Sequence, residues 1–416
     1  MKMRELFFSV PRHKMSVWEL PLLILVLSMV CPTAINAQKK EISAAQTIIK
    51  SGKNLEKAET SMRKLLADSV HRNNLKVRKT LTDAVRGQYL AGNEKLYLKQ
   101  KQDTSALFDL ALKMFADYEG LDSVDMMPDK KGRVRPRYRE DNARFLHRYR
   151  PNLYYGGIYN IRKGQYEKAY HMMDAYLDCA NQPLFGALHY ENDTLNRTAA
   201  FWTLFCGHQL KNVDLALKNK ELALQDTTFR ENAMQMLVDI YGMKNDSINV
   251  LRTLNEGFDS YPRSSFFYPR LIDYYVGEGQ TDSAMTIVER ALAADKTSEL
   301  ALYAKSNLLL NKGDYDSCIA ICDTLIARQT VNPEVYYNAG IAYLNKALLL
   351  EKGKASAKKR KAIQKAYKKS LPYLEKCREL APKNNEMWAN ALYNIYLKLN
   401  MGKAFEEIEQ YLPRAK

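Results

Sequence analysis

Glycine and proline are scarce in this chain, at 18 and 13 among 416 residues. Sandwiches, barrels and Rossmann folds consume glycine at their many turns, so this balance disfavours them and suits helices joined by short loops. Cysteine is scarcer still. Apart from Cys31 there are Cys179, Cys206, Cys318, Cys322 and Cys377, an odd and widely spread set that makes no disulfide framework. Catalytic signatures are missing as well. The chain has no Gly-x-Ser-x-Gly elbow, no His-Glu-x-x-His and no glycine-rich phosphate loop leading into Lys-Ser/Thr. The expectation is a protein that is not an enzyme and holds no cofactor and no metal.

Long apolar runs are also lacking, with one exception near the start. Lys2, Arg4, Arg12 and Lys14 precede the run Leu20–Cys31 and the sequence CPTAINAQ. A basic head, a short apolar stretch and a small-residue site predict a Sec signal peptide over residues 1–37, cleaved after Ala37. The run is short against the roughly 20 residues of a membrane span. Ser28-Met29-Val30 before Cys31 makes a poor lipobox, so a lipoprotein or signal-anchored form is the lesser expectation. The predicted location is the periplasm, with no transmembrane domain after cleavage.

What the chain has in excess is tyrosine, at 27 residues, and positive charge, at a formal +16. The charge is uneven. Lys352–Lys369 carries nine Lys/Arg and no acid, and Lys130–Arg150 carries nine against Glu140 and Asp141. Basic clusters suit nucleic acid, but an exported protein meets acidic protein segments, anionic glycans or lipid head groups instead. A solvated helix face is the plain alternative.

Self-similarity carries most of the information. Tyr241, Tyr275, Leu309 and Tyr343 lie 34 residues apart, as do Ala216, Val250, Ala284 and Cys318, and Leu204, Val238, Ile272, Ser306 and Gly340. Asn245, Gly279 and Gly313 keep the same step at a position where a helix must end in a left-handed turn. Within a unit, Tyr268, Leu271, Ile272 and Tyr275 mark one helical stripe and Ala284, Ile287, Val288 and Ala291 a second. Each unit thus predicts an antiparallel helix pair whose apolar face is buried only by stacking on its neighbours.

These residues resemble the tetratricopeptide repeat (TPR) family. Gly157, Gly164, Tyr166 and Ala169 fit its pattern, as do Tyr241 and Pro262, Gly279 and Ala284, and Tyr336, Gly340, Tyr343 and Pro382. The resemblance implies an all-α, right-handed superhelical solenoid of antiparallel helix pairs. The predicted organisation is a helical, TPR-like section at 38–123, a basic Pro/Arg-rich connection at 124–150, and a TPR array at 151–416 with a basic insertion at 352–369. Residues Glu41–Tyr118 are expected to be helical, with one helix pair around Leu55–Leu66 and another around Leu107–Phe115. Thirteen extra residues fall in Asn181–Leu195 and about 18 in the basic run, which is expected to lengthen one helix hairpin.

In TPR proteins the first helix of each pair lines a concave groove that takes peptides or partner helices. Carried over, the groove residues are Tyr154, Gln235, Asp239, Asp273, Tyr303, Asn307, Tyr337 and Asn338. Asn307 and Asn338 match two asparagines of the family's carboxylate clamp, but Tyr303 stands where a lysine belongs, and Glu386 and Asn390 fill the other basic places. The basic patch is Lys358, Lys359, Arg360, Lys361 and Lys365. The function expected is a periplasmic scaffold or adaptor gripping a partner protein segment. The competing expectation is an envelope protein binding anionic glycan or lipid through its basic clusters.

Two smaller patterns need weighing. Cys318 and Cys322 share a helix face at positions filled elsewhere by small or apolar residues, so they are expected to fill space; a disulfide would distort the helix. His189, Glu191 and Asp193 share a loop and offer ligands to a cation, against ordinary solvated residues. Asp-Ser/Thr-aliphatic triplets at Asp68, Asp122, Asp193, Asp246, Asp282 and Asp323 fit either helix capping or an O-glycan acceptor.

Overall fold

The computed structural model describes residues 38–352 and 356–412. The signal-peptide expectation lies outside the described residues. Among those residues every regular element is a helix, and no helix is long and apolar enough to cross a membrane. The chain divides into two compact units, before and after the Phe229–Arg230 bond.

The first unit begins with helix α1 over residues 38–51, then α2 (Leu55–Ala67), α3 (Leu75–Tyr97) and α4 (Thr104–Asp125). It continues with α5 (Arg139–His147), α6 (Arg150–Arg162) and α7 (Tyr166–Asp178). Two 3-10 turns follow, Pro183–Leu188 and Tyr190–Asn192, before α8 (Leu195–Gln209), α9 (Val213–Leu217) and α10 (Lys220–Ala223). The pairs expected around Leu55–Leu66 and Leu107–Phe115 centre on α2 and α4, and the two share α3, whose buried face is built from Val77, Thr80, Leu81, Ala84, Val85 and Tyr89. The packing is α2 on α3 and α3 on α4.

The second unit is a run of helix pairs: α11 (Arg230–Met243) with α12 (Ser247–Ser260), α13 (Phe267–Gly277) with α14 (Thr281–Ala294), and α15 (Glu299–Lys312) with α16 (Tyr315–Ala327). Then come α17 (Pro333–Glu351) with α18 (Ala357–Leu380), and α19 (Asn385–Lys398) with α20 (Gly402–Glu409). Each helix packs on the next in sequence, and α15 also packs on α17 and α17 on α19, the first helices of successive pairs. This is the stacking of a solenoid, where contacts stay between neighbours.

The 34-residue spacing works through the turns. Asn245, Gly279 and Gly313 all have left-handed backbones, with φ of 56°, 71° and 84°. In each case the next residue's N–H donates back to a carbonyl five positions earlier: Asp246 to Tyr241, Gln280 to Tyr275, Asp314 to Leu309. This is the Schellman closure of a helix, and the periodic Tyr/Leu set supplies its acceptors. The series reaches further than the glycines: Lys211, 34 before Asn245, has φ 53°, and Asn212 donates to Gly207 in the same way. Five residues past each of the three predicted turns, a second helix meets the first at Val250, Ala284 and Cys318; the last two are fully buried.

The connection at 124–150 is more ordered than its sequence implies. Asp125 Oδ2 accepts from the N–H of Arg137 at 2.6 Å and of Tyr138 at 2.9 Å, and Arg139 forks onto Asp122 at 2.8 and 2.6 Å. These bonds tie the connecting segment down and launch α5. Asp-Ser/Thr triplets behave unevenly: Asp246 caps α12 through the Asn249 N–H, whereas Asp122 and Asp323 lie inside helices and bond Arg139 and Tyr373. Capping accounts for only part of that pattern.

Candidate functional site

Three places bear on function: a band on the first helices of the second unit, the inserted loop of the first unit, and the basic hairpin.

The band follows the repeat. Val238 and Ile272 are buried and Ser306 fully so, while the residues one position later, Asp239, Asp273 and Asn307, are all exposed. Four positions before Asp239 and Asn307 lie Gln235 and Tyr303, and Tyr337 continues that column; all three are half-buried. Gln235 Nε2 donates to Glu231 at 3.2 Å. The Tyr303 phenol is pushed up by burial, then by Glu334 and Asp273, which places two carboxylates around one hydroxyl across α13, α15 and α17. Burial likewise raises Tyr337. The band is thus acidic and tyrosyl. Its nearby cations are occupied elsewhere: Arg270 stacks 3.6 Å from the Phe266 ring centre, and Lys305 pairs with Glu289.

Asn338 does not share this exposure. It is 3% exposed, and its Nδ2 donates to Ser306 Oγ at 3.1 Å. Tyr303 occupies the lysine position of a carboxylate clamp, beside acids that would repel a carboxylate. Tyr154 lies in the first unit, half-buried, with ring centres 5.9 Å from Tyr155 and 5.7 Å from Tyr176.

The inserted loop is fastened by a buried arginine. Arg150 is 4% exposed, with its guanidinium 3.7 Å from the Tyr176 ring centre and 4.0 Å from that of Tyr190. It donates to Asp193 at 2.6 Å, to Asn196 Oδ1 at 2.8 Å and to the Tyr176 carbonyl at 3.1 Å. Tyr176 also donates to Asp193, at 2.6 Å. Burial works against the Asp193 carboxylate, but the bonds from Tyr176 and Arg150 outweigh it and hold its pKa low. Asp193 is therefore committed to Arg150, and His189 pairs with Glu191 in the open. Among the described residues, no group of three or more His, Cys, Asp or Glu is placed to hold a metal ion. The sequence shows where the loop falls but not its anchor, because in the sequence Arg150 reads only as one more charge in a basic run.

Four of the nine basic residues in that run are paired, and two of these pairs, Arg139 with Asp122 and Arg150 with Asp193, are well shielded from solvent. Arg133 pairs with Asp129, Arg139 with Asp122, Arg144 with Asp141 and Arg150 with Asp193. The basic hairpin differs: Lys358, Arg360, Lys361 and Lys365 make no ion pair among the described residues, and Lys359 Nζ donates to the Lys352 carbonyl at 2.6 Å.

The cysteines fill space. Cys318 and Cys322 are both fully buried and unbonded to each other. The Cys318 thiol is pushed up by its contact with Cys322 and by burial. Burial alone pushes Cys206 up to about 12. Such thiols are poor nucleophiles.

Residues 275–339 match the tetratricopeptide repeat family. No curated protein matches the chain. Among solved structures, a tetratricopeptide repeat protein from Parabacteroides merdae is 15% identical, with 63% of this chain and 98% of that one covered, at a TM-score of 0.36. A TPR repeats protein from Bacteroides fragilis is 17% identical over 63% and 99%, at 0.29. Yeast Tom70 is 12% identical over 87% and 89%, at 0.35. The family match falls on α13 to α17, where turn, close approach and stacking all repeat in phase, and this segment carries tetratricopeptide repeats.

Proposed function

We propose that this protein is a non-catalytic scaffold that binds a partner protein segment along the first helices of its second unit. The observation that supports it is the periodic exposure of Asp239, Asp273 and Asn307 beside the buried Val238, Ile272 and Ser306. Side chains exposed at a fixed step along the stack make a ladder of contacts for an extended chain or a helix. Tyr303 and Tyr337 add rigid area at small entropic cost, and Asn307 offers both a donor and an acceptor to a peptide backbone. With Asp239, Asp273 and Glu334 in the band, the segment that suits it carries lysine or arginine rather than a free carboxylate. Gln235 extends the ladder at its α11 end; Asn338 acts from beneath, setting α17 against α15.

The export pattern at residues 1–37 supports a periplasmic site of action, so the partner belongs to the cell envelope. One experiment addresses both points. A photo-crosslinking residue is placed at Asn307 or at Asp273, with Thr286 on α14 as control, and the protein is recovered from the periplasmic fraction. The expected result is a discrete adduct from Asn307 and Asp273 but not from Thr286, on a protein whose mass begins at Gln38. Adducts from all three positions alike, or from none, would overturn the groove; recovery only in the cytoplasm would overturn the location.

A further inference from the structure

We propose that the extended end of α17 and the extended start of α18 form a docking site for an anionic lipid bilayer, where leucines enter the interface and lysines meet lipid phosphates. The inference is independent of the groove.

The hairpin is longer than its neighbours by a definite amount. By the 34-residue step, α17 should end near Lys346, the counterpart of Lys312, yet it runs on to Glu351. The second helix should begin near Tyr367, the counterpart of Tyr315 once the 18 extra residues are added, yet α18 starts at Ala357. At 1.5 Å per residue, the extensions add about 7 Å to the first helix and about 15 Å to the second. Ser370 then falls at the close-approach position held by Cys318, fully buried, with its hydroxyl donating to the Gly340 carbonyl at 2.6 Å. The insertion has been absorbed without disturbing the repeat beneath it.

The extension is built, not merely long. Tyr367 donates to Glu351 Oε1 at 2.9 Å, and Lys398 Nζ reaches the same oxygen at 2.9 Å. Glu351 is the only acid between Lys346 and Lys369, so Lys398 cancels the one negative charge there. Lys359 Nζ on the Lys352 carbonyl holds the first turn of α18 against the end of α17. In that setting Leu348, Leu349 and Leu350, in the last turns of α17, are 42%, 52% and 37% exposed, and the packed partner helix α18 carries the unpaired Lys358, Lys361 and Lys365.

Charge and apolarity together select the occupant. Uncompensated positive charge opposes a second copy of the same surface. A sulfated glycan or a nucleic acid would satisfy the lysines and leave the leucines in water. An anionic membrane interface satisfies both, since acyl chains accept leucine while long lysine stems carry their ammonium groups up to the phosphates.

The test is sedimentation of the full chain with phosphatidylcholine vesicles, either pure or containing about one-third phosphatidylglycerol. All variants are made in the same chain, so residues 1–37 contribute equally. Binding is expected with the anionic vesicles and little with the pure ones. The K358E/K361E/K365E variant should lower apparent affinity at least about tenfold. The L349S/L350S variant should lower it about fivefold at unchanged charge, with the salt-resistant fraction lost. Circular dichroism of both variants should match the parent. Binding that ignores phosphatidylglycerol, charge reversal without effect, or a leucine variant that binds like the parent would each overturn the proposal, the last pointing to a soluble polyanion instead.

Discussion

At the scale of single residues, burial and pairing decide which ionisable groups matter. Glu119 on α4 shows it most plainly. Burial, and then the nearby Asp178, pushes its carboxyl from 4.5 up to about 7. A raised carboxyl means that between those pH values the folded chain holds a proton the unfolded chain has released. Stability is therefore present below about pH 4.5 and lost as pH rises through about 7. The thermal midpoint of the first unit should fall between pH 6 and pH 8, and Glu119→Gln should flatten that part of the slope and raise the midpoint at pH 8. A variant with an unchanged slope would mean another group is responsible. Cysteine teaches the converse lesson. Two thiols four residues apart invite a redox reading, but Cys318 and Cys322 are fully buried in a cluster with Leu325, Val335 and Ala339, and there a thiol behaves as a small hydrophobe.

At the scale of elements, the close approach of paired helices is the sensitive feature. A Cβ placed on Gly207 would lie 2.4 Å from the backbone nitrogen of Ala216, which has no freedom to move aside. Alanine is the better helix former by about 1 kcal/mol, yet overpacking against backbone costs about 1–3 kcal/mol. Gly207→Ala should thus be net destabilising in urea unfolding despite its propensity, by parting α8 from α9. A neutral or stabilising outcome would show that the pair can spread. The second helix of this pair is itself broken between α9 and α10, where Asn219 Nδ2 bonds Thr203 Oγ1 at 3.2 Å. That break has no counterpart in the 34-residue pattern, since a side-chain bond of this kind leaves no periodic trace.

For the whole molecule, the five free cysteines among the described residues are reporters of folding. Cys179 and Cys206 are buried in the first unit, and Cys318, Cys322 and Cys377 in the second. An alkylating reagent should leave all five unmodified in the folded protein. As denaturant rises, modification sites identified by mass spectrometry should appear in those two groups, each group opening together. Labelling of Cys318 without Cys322 under native conditions would contradict the shared burial. In a stacked array, opening is expected to spread by neighbours rather than at isolated residues.

The sequence by itself determined the helical class, the repeat step and the turns that enforce it. These depend on local rules: where glycine or asparagine must adopt a left-handed backbone, and which residues recur on one helical face. It also located both insertions, because an interrupted period is visible as a number. It marked Glu41–Tyr118 as helical without placing α3, whose buried face mixes Val77, Leu81 and Val85 with Thr80, Ala84 and Tyr89. Nor could it tell the two basic runs apart. Lys130–Arg150 and Lys352–Lys369 have the same count of positive residues, but Asp122, Asp129 and Asp193 reach the first from before or beyond it in the chain, whereas among the described residues no acid pairs with Lys358, Arg360, Lys361 or Lys365 of the second. Likewise Asn338 reads as a groove residue until Ser306 is seen to hold it. Pairing between distant residues is set by packing, and only the tertiary structure decided which charges and amides were left for a partner.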